Sequence, residues 1–413
     1  MGRDSPAAHS LGFGHSMIYL AVLLSVLHGI GMRGAKVLVS LAALEIGATP
    51  FQVGLLAATF AALPLVLAVY AGKVSDRFGV HRPLLGGAVT MAVGVAVPLA
   101  IPGLAGLLVC SALVGLGHIF FHVSMHNLIG AYGEGETRTR NFATFSLGAS
   151  ISAFIGPSLA GISIDEAGFH ATYLVMAAIA GSPALVLASY PALVPRRQAH
   201  SHHESAGGSL ALLADAGLRR TLLMSGVTLT GIELFTFYFP VYGTSIGLSA
   251  SAIGMIMSSY AVAAFLVRLG MHRAARALGE VGVLTVSLFV AGATYVLVPL
   301  VSHAALLAAV AFLLGIGLGC AQPLTILLTY NHAPAGRSGE ALGMRLTVNK
   351  LTQIAVPLIF GGLGSAYGVL PVFWADGAFL LAAGFMSLAE RRVAARAREE
   401  PAAVVSEQQE ENL

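Results

Sequence analysis

Twelve stretches of this chain are apolar over about the length a helix needs to cross a bilayer, and no other feature limits the fold as strongly. A span takes roughly 20 apolar residues. The runs fall near 15–43, 50–72, 83–102, 104–131, 141–163 and 170–194, then near 219–246, 251–270, 281–301, 304–330, 341–365 and 369–389. Backbone exposed to lipid must satisfy its own hydrogen bonds, which leaves helices or a closed barrel. The runs are continuous and lack the ~10-residue alternation of barrel strands. An all-α membrane protein of twelve transmembrane helices is therefore expected. Only 10% of the 413 residues are charged, against about 25% in soluble chains, too few to cover a surface facing water. The first run is too long for a signal-peptide core and has no convincing cleavage site, so it is read as a span.

Charge placement orients the spans. With the amino terminus inside, the inner segments hold Arg3, Lys73, Arg77, Arg82, Arg138, Arg140, Arg196, Arg197, Arg219 and Arg220 up to the start of the seventh run. Beyond it they also hold Arg268, Arg273, Arg276, Arg337, Arg345, Arg391, Arg392, Arg396 and Arg398. The short outer loops near Ile101 to Gly103, Asp165 to His170 and Val301 to His303 hold no Lys or Arg. This asymmetry predicts a multi-pass protein of the cell membrane with both termini cytoplasmic; if the source is a Gram-negative bacterium, that membrane is the inner one. The net charge of +3 is then a topology signal and does not point to nucleic acid. Cys110 and Cys320 both fall within spans, which argues against a disulfide or a cysteine metal site.

An offset of 200 residues aligns Gly47 with Gly247, Gly54 with Gly254, Gly79 with Gly279 and Gly115 with Gly315. The same offset aligns Gly117 with Gly317, Pro157 with Pro357, Gly161 with Gly361 and Gly168 with Gly368. A fixed-period register of this kind marks an internal duplication. The expected organisation is a tail (1–14), a six-helix bundle (15–194), a cytoplasmic linker (195–218), a second six-helix bundle (219–390) and a tail (391–413). Two parallel repeats with substrate bound near the midplane between them suit a secondary transporter. No phosphate-binding loop of ATP-driven pumps is present, so a gradient is the expected energy source.

Between the second and third runs lies Gly72-Lys-Val-Ser-Asp76-Arg77-Phe-Gly79-Val-His-Arg82. It resembles the signature loop of the major facilitator superfamily, and with the duplicated twelve-span pattern the resemblance covers about residues 15–390. It implies that fold: two pseudo-symmetric six-helix bundles working by alternating access. It also implies a gating role for Gly72, Asp76, Arg77, Gly79 and Arg82, with Gly72 allowing close helix approach. Asp76 would satisfy helix N–H groups and pair with cations. In the second copy Arg276 stands where Asp76 would be, so the latch is expected on one side only. The stretch from Gly148 to Gly161, with Gly156 and Pro157, resembles the Gly-Pro motif of exporters and antiporters in that superfamily, although Ala160 replaces a usual glycine. It implies gating by Gly156 and Pro157, and efflux.

Ionisable residues inside spans mark pathways and partners. Arg33 and Glu233 occupy matching positions of the two repeats, and a cross-cavity pair is expected. Glu233 is the candidate for proton coupling, with Arg33 tuning it; the alternative is a permanent structural pair. Arg33, Lys36 and Lys350 outnumber the acids at that depth, which favours an anionic substrate. Lys36 and Lys350 could instead snorkel to the interfaces. His118, His122 and His126 share one helical face. They could bind substrate or pack, relay protons, or hold a metal. His28, Tyr238, Gln322 (the mate of His122) and Asn349 complete the candidate substrate site.

The expectation is a proton-coupled secondary transporter, most simply a monomer without cofactor, exporting a small organic anion or amphipathic metabolite. The alternatives are a multidrug exporter of hydrophobic or cationic compounds, a metal-ion exporter using the histidines, and an importer of a small organic anion. No His-Glu-x-x-His or comparable catalytic motif is present, so enzymatic activity is not expected.

Overall fold

The computed structural model describes residues 6–131, 135–189, 209–334 and 337–389. Of the expected tails and linker, residues 1–5, 195–208 and 391–413 lie outside the described residues. The described residues are almost wholly helical: α1 Pro6–Glu45, α2 Pro50–Phe78, α3 His81–Ala100, α4 Gly103–Ala131, α5 Gly135–Ser189 and α6 Ala216–Ser245. There follow α7 Ala250–Leu278, α8 Glu280–Leu297, α9 Ala304–Gly319, α10 Ala321–Asn331, α11 Ser338–Tyr367 and α12 Leu370–Ala389. The first helix starts at Pro6, earlier than the apolar run near 15, with proline at a position where its missing N–H costs nothing.

Among the described residues, eleven segments are long and apolar enough to cross a membrane. One of them, Arg140–Ser189, has 50 residues, about 75 Å of helix at 1.5 Å per residue. A single crossing cannot absorb that length. Gly168, at φ 75° and ψ 174°, breaks it into two helices and brings the crossings to twelve. In the matching place of the second half, Gly368 at φ 85° separates α11 from α12.

The duplication is written into the ends of the helices. Thr49 caps α2 through a reciprocal pair with Gln52, and its mate Ser249 caps α7 by accepting from the Ala252 N–H. Both helices have 29 residues, and both end at a glycine with positive φ, Gly79 and Gly279.

The main hydrophobic core joins both halves around the Gly47/Gly247 end and the middle. Toward the Gly79/Gly279 end it divides. Leu84, Phe121, Met125 and Leu128 pack in a core of the first half alone, and Leu212, Leu218, Leu222 and Ala341 in one of the second. At the closed end α5 packs on α7 and α2 on α11. A Cβ at Gly54 would collide with the Pro357 carbonyl, and one at its mate Gly254 with the Pro157 carbonyl. Asp165, at the end of the first part of α5, accepts the Ala250 and Ser251 N–H groups of α7 at 3.1 and 2.8 Å. Its mate Ser365 accepts the Phe51 N–H of α2 at 2.9 Å. Each half thus caps a helix of the other.

Candidate functional site: a cavity shared by the two halves

Between the halves lies a cavity of about 380 Å³. Most of its lining comes in pairs 200 residues apart: Met32 with Ile232, Arg33 with Glu233, Lys36 with Thr236, Phe60 with Tyr260, Ser150 with Lys350 and Ala153 with Gln353. It therefore sits on the pseudo-symmetry axis, bounded by α1, α2, α4 and α5 on one side and α6, α7, α10 and α11 on the other. Paired prolines shape it. Proline lacks the N–H that would bond four residues back, so Pro157 and Pro357 each leave the ladder open toward a lining residue, Ala153 and Gln353.

Glu233 is nearly buried. Its Oε2 lies 3.4 Å from Lys36 Nζ, and its Oε1 accepts from Gln353 Nε2 at 2.8 Å. Lys350 Nζ donates in turn to Gln353 Oε1 at 2.8 Å. The expected Arg33–Glu233 pair is replaced by Lys36–Glu233. One helical turn separates Lys36 from Arg33, so both reach the same cavity, but only Lys36 comes within ion-pair distance of the carboxylate. Lys36 does not snorkel outward; its ammonium also lies 5.0 Å from the Phe237 ring centroid. Arg33 is exposed to the cavity, and its Nη2 donates to the Ala149 carbonyl at 3.4 Å.

Arg268 is the residue that sequence reasoning misplaced. It lies in a run of basic residues near the end of α7 and was read as a topology charge, yet it lines the cavity. Its Nε donates to the Gly319 carbonyl at 2.8 Å. The reason is local chemistry. The tenth run, expected as one helix, breaks into α9 and α10 at Cys320. Pro323 has no N–H to offer Gly319, so that carbonyl is orphaned and Arg268 takes it. A proline one turn beyond a glycine was the signal available. Tyr260 and Gln353 line the cavity as well; as pairing positions of Phe60 and Ala153, they could have been found by carrying the 200-residue offset through the polar residues.

Of the other candidates, His118 and Gln322 line the cavity. His28 is buried behind it, 3.8 Å between ring centroids from Phe121 and 5.5 Å from His118. His122 and His126 continue the file away from it, with centroids 5.1 Å (His118 to His122) and 4.2 Å (His122 to His126) apart. No group of three or more His, Cys, Asp or Glu among the described residues is arranged to hold a metal ion. Tyr238 is fully buried and outside the cavity; its hydroxyl sits 2.7 Å from the Pro357 carbonyl and 3.2 Å from that of Pro50. Tyr242 likewise bonds the Val301 carbonyl at 2.7 Å. Asn349 Oδ1 accepts from Ser225 Oγ at 2.9 Å, tying α11 to α6 outside the lining.

In the signature loop, Gly79 ends α2 at φ 77°, Arg77 stacks on Phe78 at 5.3 Å, and Arg82 is exposed. The Asp76 side chain lies outside the described residues. Among the described residues, a Cβ at Gly72 would meet no atom within 4 Å. Gly156 does allow a close approach: α5 touches α1 there, and a Cβ would press on the Cβ of Arg33. Pro157 lines the cavity.

The sequence model of the Major Facilitator Superfamily matches residues 21–349 and 221–410. No curated protein matches the sequence. Among solved structures, a POT family transporter in complex with 5-aminolevulinic acid is similar at a TM-score of 0.75 and 14% identity, over 90% of this chain and 95% of that one. A point mutant of the nucleoside transporter NupG is similar at 0.75 and 13%, over 90% and 99%. A bacterial homologue of the human lysosomal transporter Spinster, inward-facing and unoccupied, is similar at 0.74 and 14%, over 92% and 97%. At these identities the likeness is one of fold.

Proposed function

The chain belongs to the major facilitator superfamily, and from that premise we propose that it is a proton-coupled secondary transporter that carries a small organic anion by alternating access. The observation that carries the reading is the charge of the cavity. Arg33, Lys36, Arg268 and Lys350 line it, against the single carboxylate of Glu233 among the described lining residues. A cleft with such an excess of one sign concentrates the opposite charge. Lipophilic cations meet the wrong field there.

The closed end is the one that charge placement puts outside, so this form is open to the cytoplasm, where both termini are expected. The membrane is a cell membrane, the bacterial inner membrane if the source is Gram-negative. The two bundles rock about the cavity.

Glu233 is the coupling group. As a carboxylate it holds Lys36 through Oε2 and Gln353 through Oε1; a proton on Oε2 ends the ion pair with Lys36, while Oε1 still accepts from Gln353. Export in exchange for protons is the direction that the Gly156-Pro157 stretch suggests. Import of the anion together with a proton is a second reading, favoured by the Lys36–Glu233 pair. Once a proton neutralises the Glu233 carboxylate, an anion takes its place beside Lys36, so the two ligands assist each other's binding.

The test uses purified protein in liposomes containing a pH dye, challenged with organic anions, lipophilic cations and divalent metals. An anion is expected to move protons, and Glu233→Gln to abolish that flux while leaving anion exchange at equal pH within about threefold of wild type. Protons moving with the anion select import; protons moving against it select export. Flux driven by cations and indifferent to Arg33→Ala would overturn the anion reading.

A further inference from the structure

A cavity whose described lining holds four cations and one carboxylate leaves charge for its cargo to neutralise. The two lysines are already engaged: Lys36 with Glu233 directly, and Lys350 through Gln353. Arg33 and Arg268 have no carboxylate partner among the described residues. Each is steadied by one backbone carbonyl of its own half, Arg33 by Ala149 through Nη2 and Arg268 by Gly319 through Nε. The Nε and Nη1 of Arg33 and both terminal nitrogens of Arg268 have no protein acceptor among the described residues. Both side chains are exposed to the cavity. A guanidinium anchored by one bond and open along its remaining donors is prepared for a carboxylate or phosphoryl group.

Resting on the anion reading above, we infer that the cargo is a dianion whose two negative charges are shared between Arg33 and Arg268. Phe60, Phe235 and Tyr260, also in the lining, give its body an apolar and aromatic environment. The arginines come from opposite halves, α1 and α7. A dianion bonded to both links the bundles across the open side of the cavity, and this link favours closure there. A monoanion neutralises one arginine and leaves the other charge uncompensated in a space closed off from water, which opposes closure. Arg268 is then a specificity-determining residue, and the selectivity is for charge number more than for shape.

The experiment is counterflow in proteoliposomes with isosteric pairs. Terephthalate is set against its monoamide, and phenyl phosphate against methyl phenyl phosphate. Wild-type protein is expected to carry at least one dianion about tenfold or more faster than its monoanionic isostere; which pair separates distinguishes a dicarboxylate from a phosphomonoester. Arg268→Gln is expected to reduce that preference to less than about threefold while retaining exchange of the monoanion. Arg268→Lys, which keeps the charge but loses the fork, should fall between. Equal rates for mono- and dianions in wild type, or an unchanged preference in Arg268→Gln, would overturn the dianion assignment and leave the anion transporter standing. Uptake of lipophilic cations with no anion of either charge carried would overturn both. The wild-type comparison decides the charge number of the cargo even if Arg268→Gln does not fold, and Arg268→Lys then tests the assignment to Arg268.

Discussion

Glu233 and Tyr238 lie on the same helix, yet only Glu233 reaches the cavity. Five residues turn an α-helix by about 140° beyond a full revolution, which aims Tyr238 at α11 and the start of α2. There its one proton is shared between carbonyls of the two halves, and the carbonyl of Pro357 is the nearer. Tyr238→Phe would leave buried carbonyls short of a donor, at a cost of about 1–3 kcal/mol. We expect a lower thermal midpoint in detergent with substrate half-saturation unchanged; a changed half-saturation with intact stability would return Tyr238 to the site. The polar residues of the spans were legible as a set, because an ionisable group in a membrane needs a reason to be there. Their partners were not legible. Arg33, Lys36 and Glu233 all point toward one space, and the choice of Lys36 over Arg33 depends on side-chain reach across a gap that only the packed bundles define.

At the scale of elements, the closed end is held by exchanged caps. The first N–H groups of a helix lack intrahelical partners and carry the positive end of its dipole. Asp165 satisfies two of them on α7, and Ser365 one on α2. These bonds cross from half to half, so they must break when that end opens. Asp165→Ala is expected to shift the population several-fold toward the form open at the Gly47/Gly247 end, in keeping with charge-assisted bonds of roughly 1.5–3 kcal/mol partly replaced by water. The measurement is the rate of maleimide labelling of a cysteine at Ser158, which lies behind the caps; an unchanged rate would show that the caps do not hold the gate. The paired glycines announced these elements in the sequence, and Gly54 and Gly254 turned out to be paired contacts on opposite halves. The break at Cys320 went unread, because an apolar run looks continuous until the carbonyl facing Pro323 is seen to need another donor.

Across the whole molecule, one core spans both halves at the closed end and divides at the other. Transport by rocking requires that the joined end separate. Ser158 and Ser258 face each other there with their hydroxyl oxygens 2.5 Å apart, and Ser258 Oγ also donates to the Phe154 carbonyl at 2.6 Å. Cysteines at both positions are close enough for a disulfide, while the native Cys110 and Cys320 are buried. Oxidising the double variant is expected to lower counterflow at least tenfold, with recovery on reduction. Full activity in the cross-linked form would rule out opening at this end as part of the cycle.

The amino-acid sequence alone determined that the chain is helical, spans a membrane about twelve times and consists of two related halves. These properties follow from local rules: apolar length, backbone self-satisfaction in lipid, and a repeat that keeps its glycines and prolines in register. Tertiary structure decided which cations keep Glu233 company, that Arg268 belongs to the cavity, and that Tyr238, Asn349 and most of the histidines do not line it. Each of these outcomes depends on how helices distant in sequence are rotated and set against one another, and a side chain's partner across a cavity is fixed only once both walls are in place.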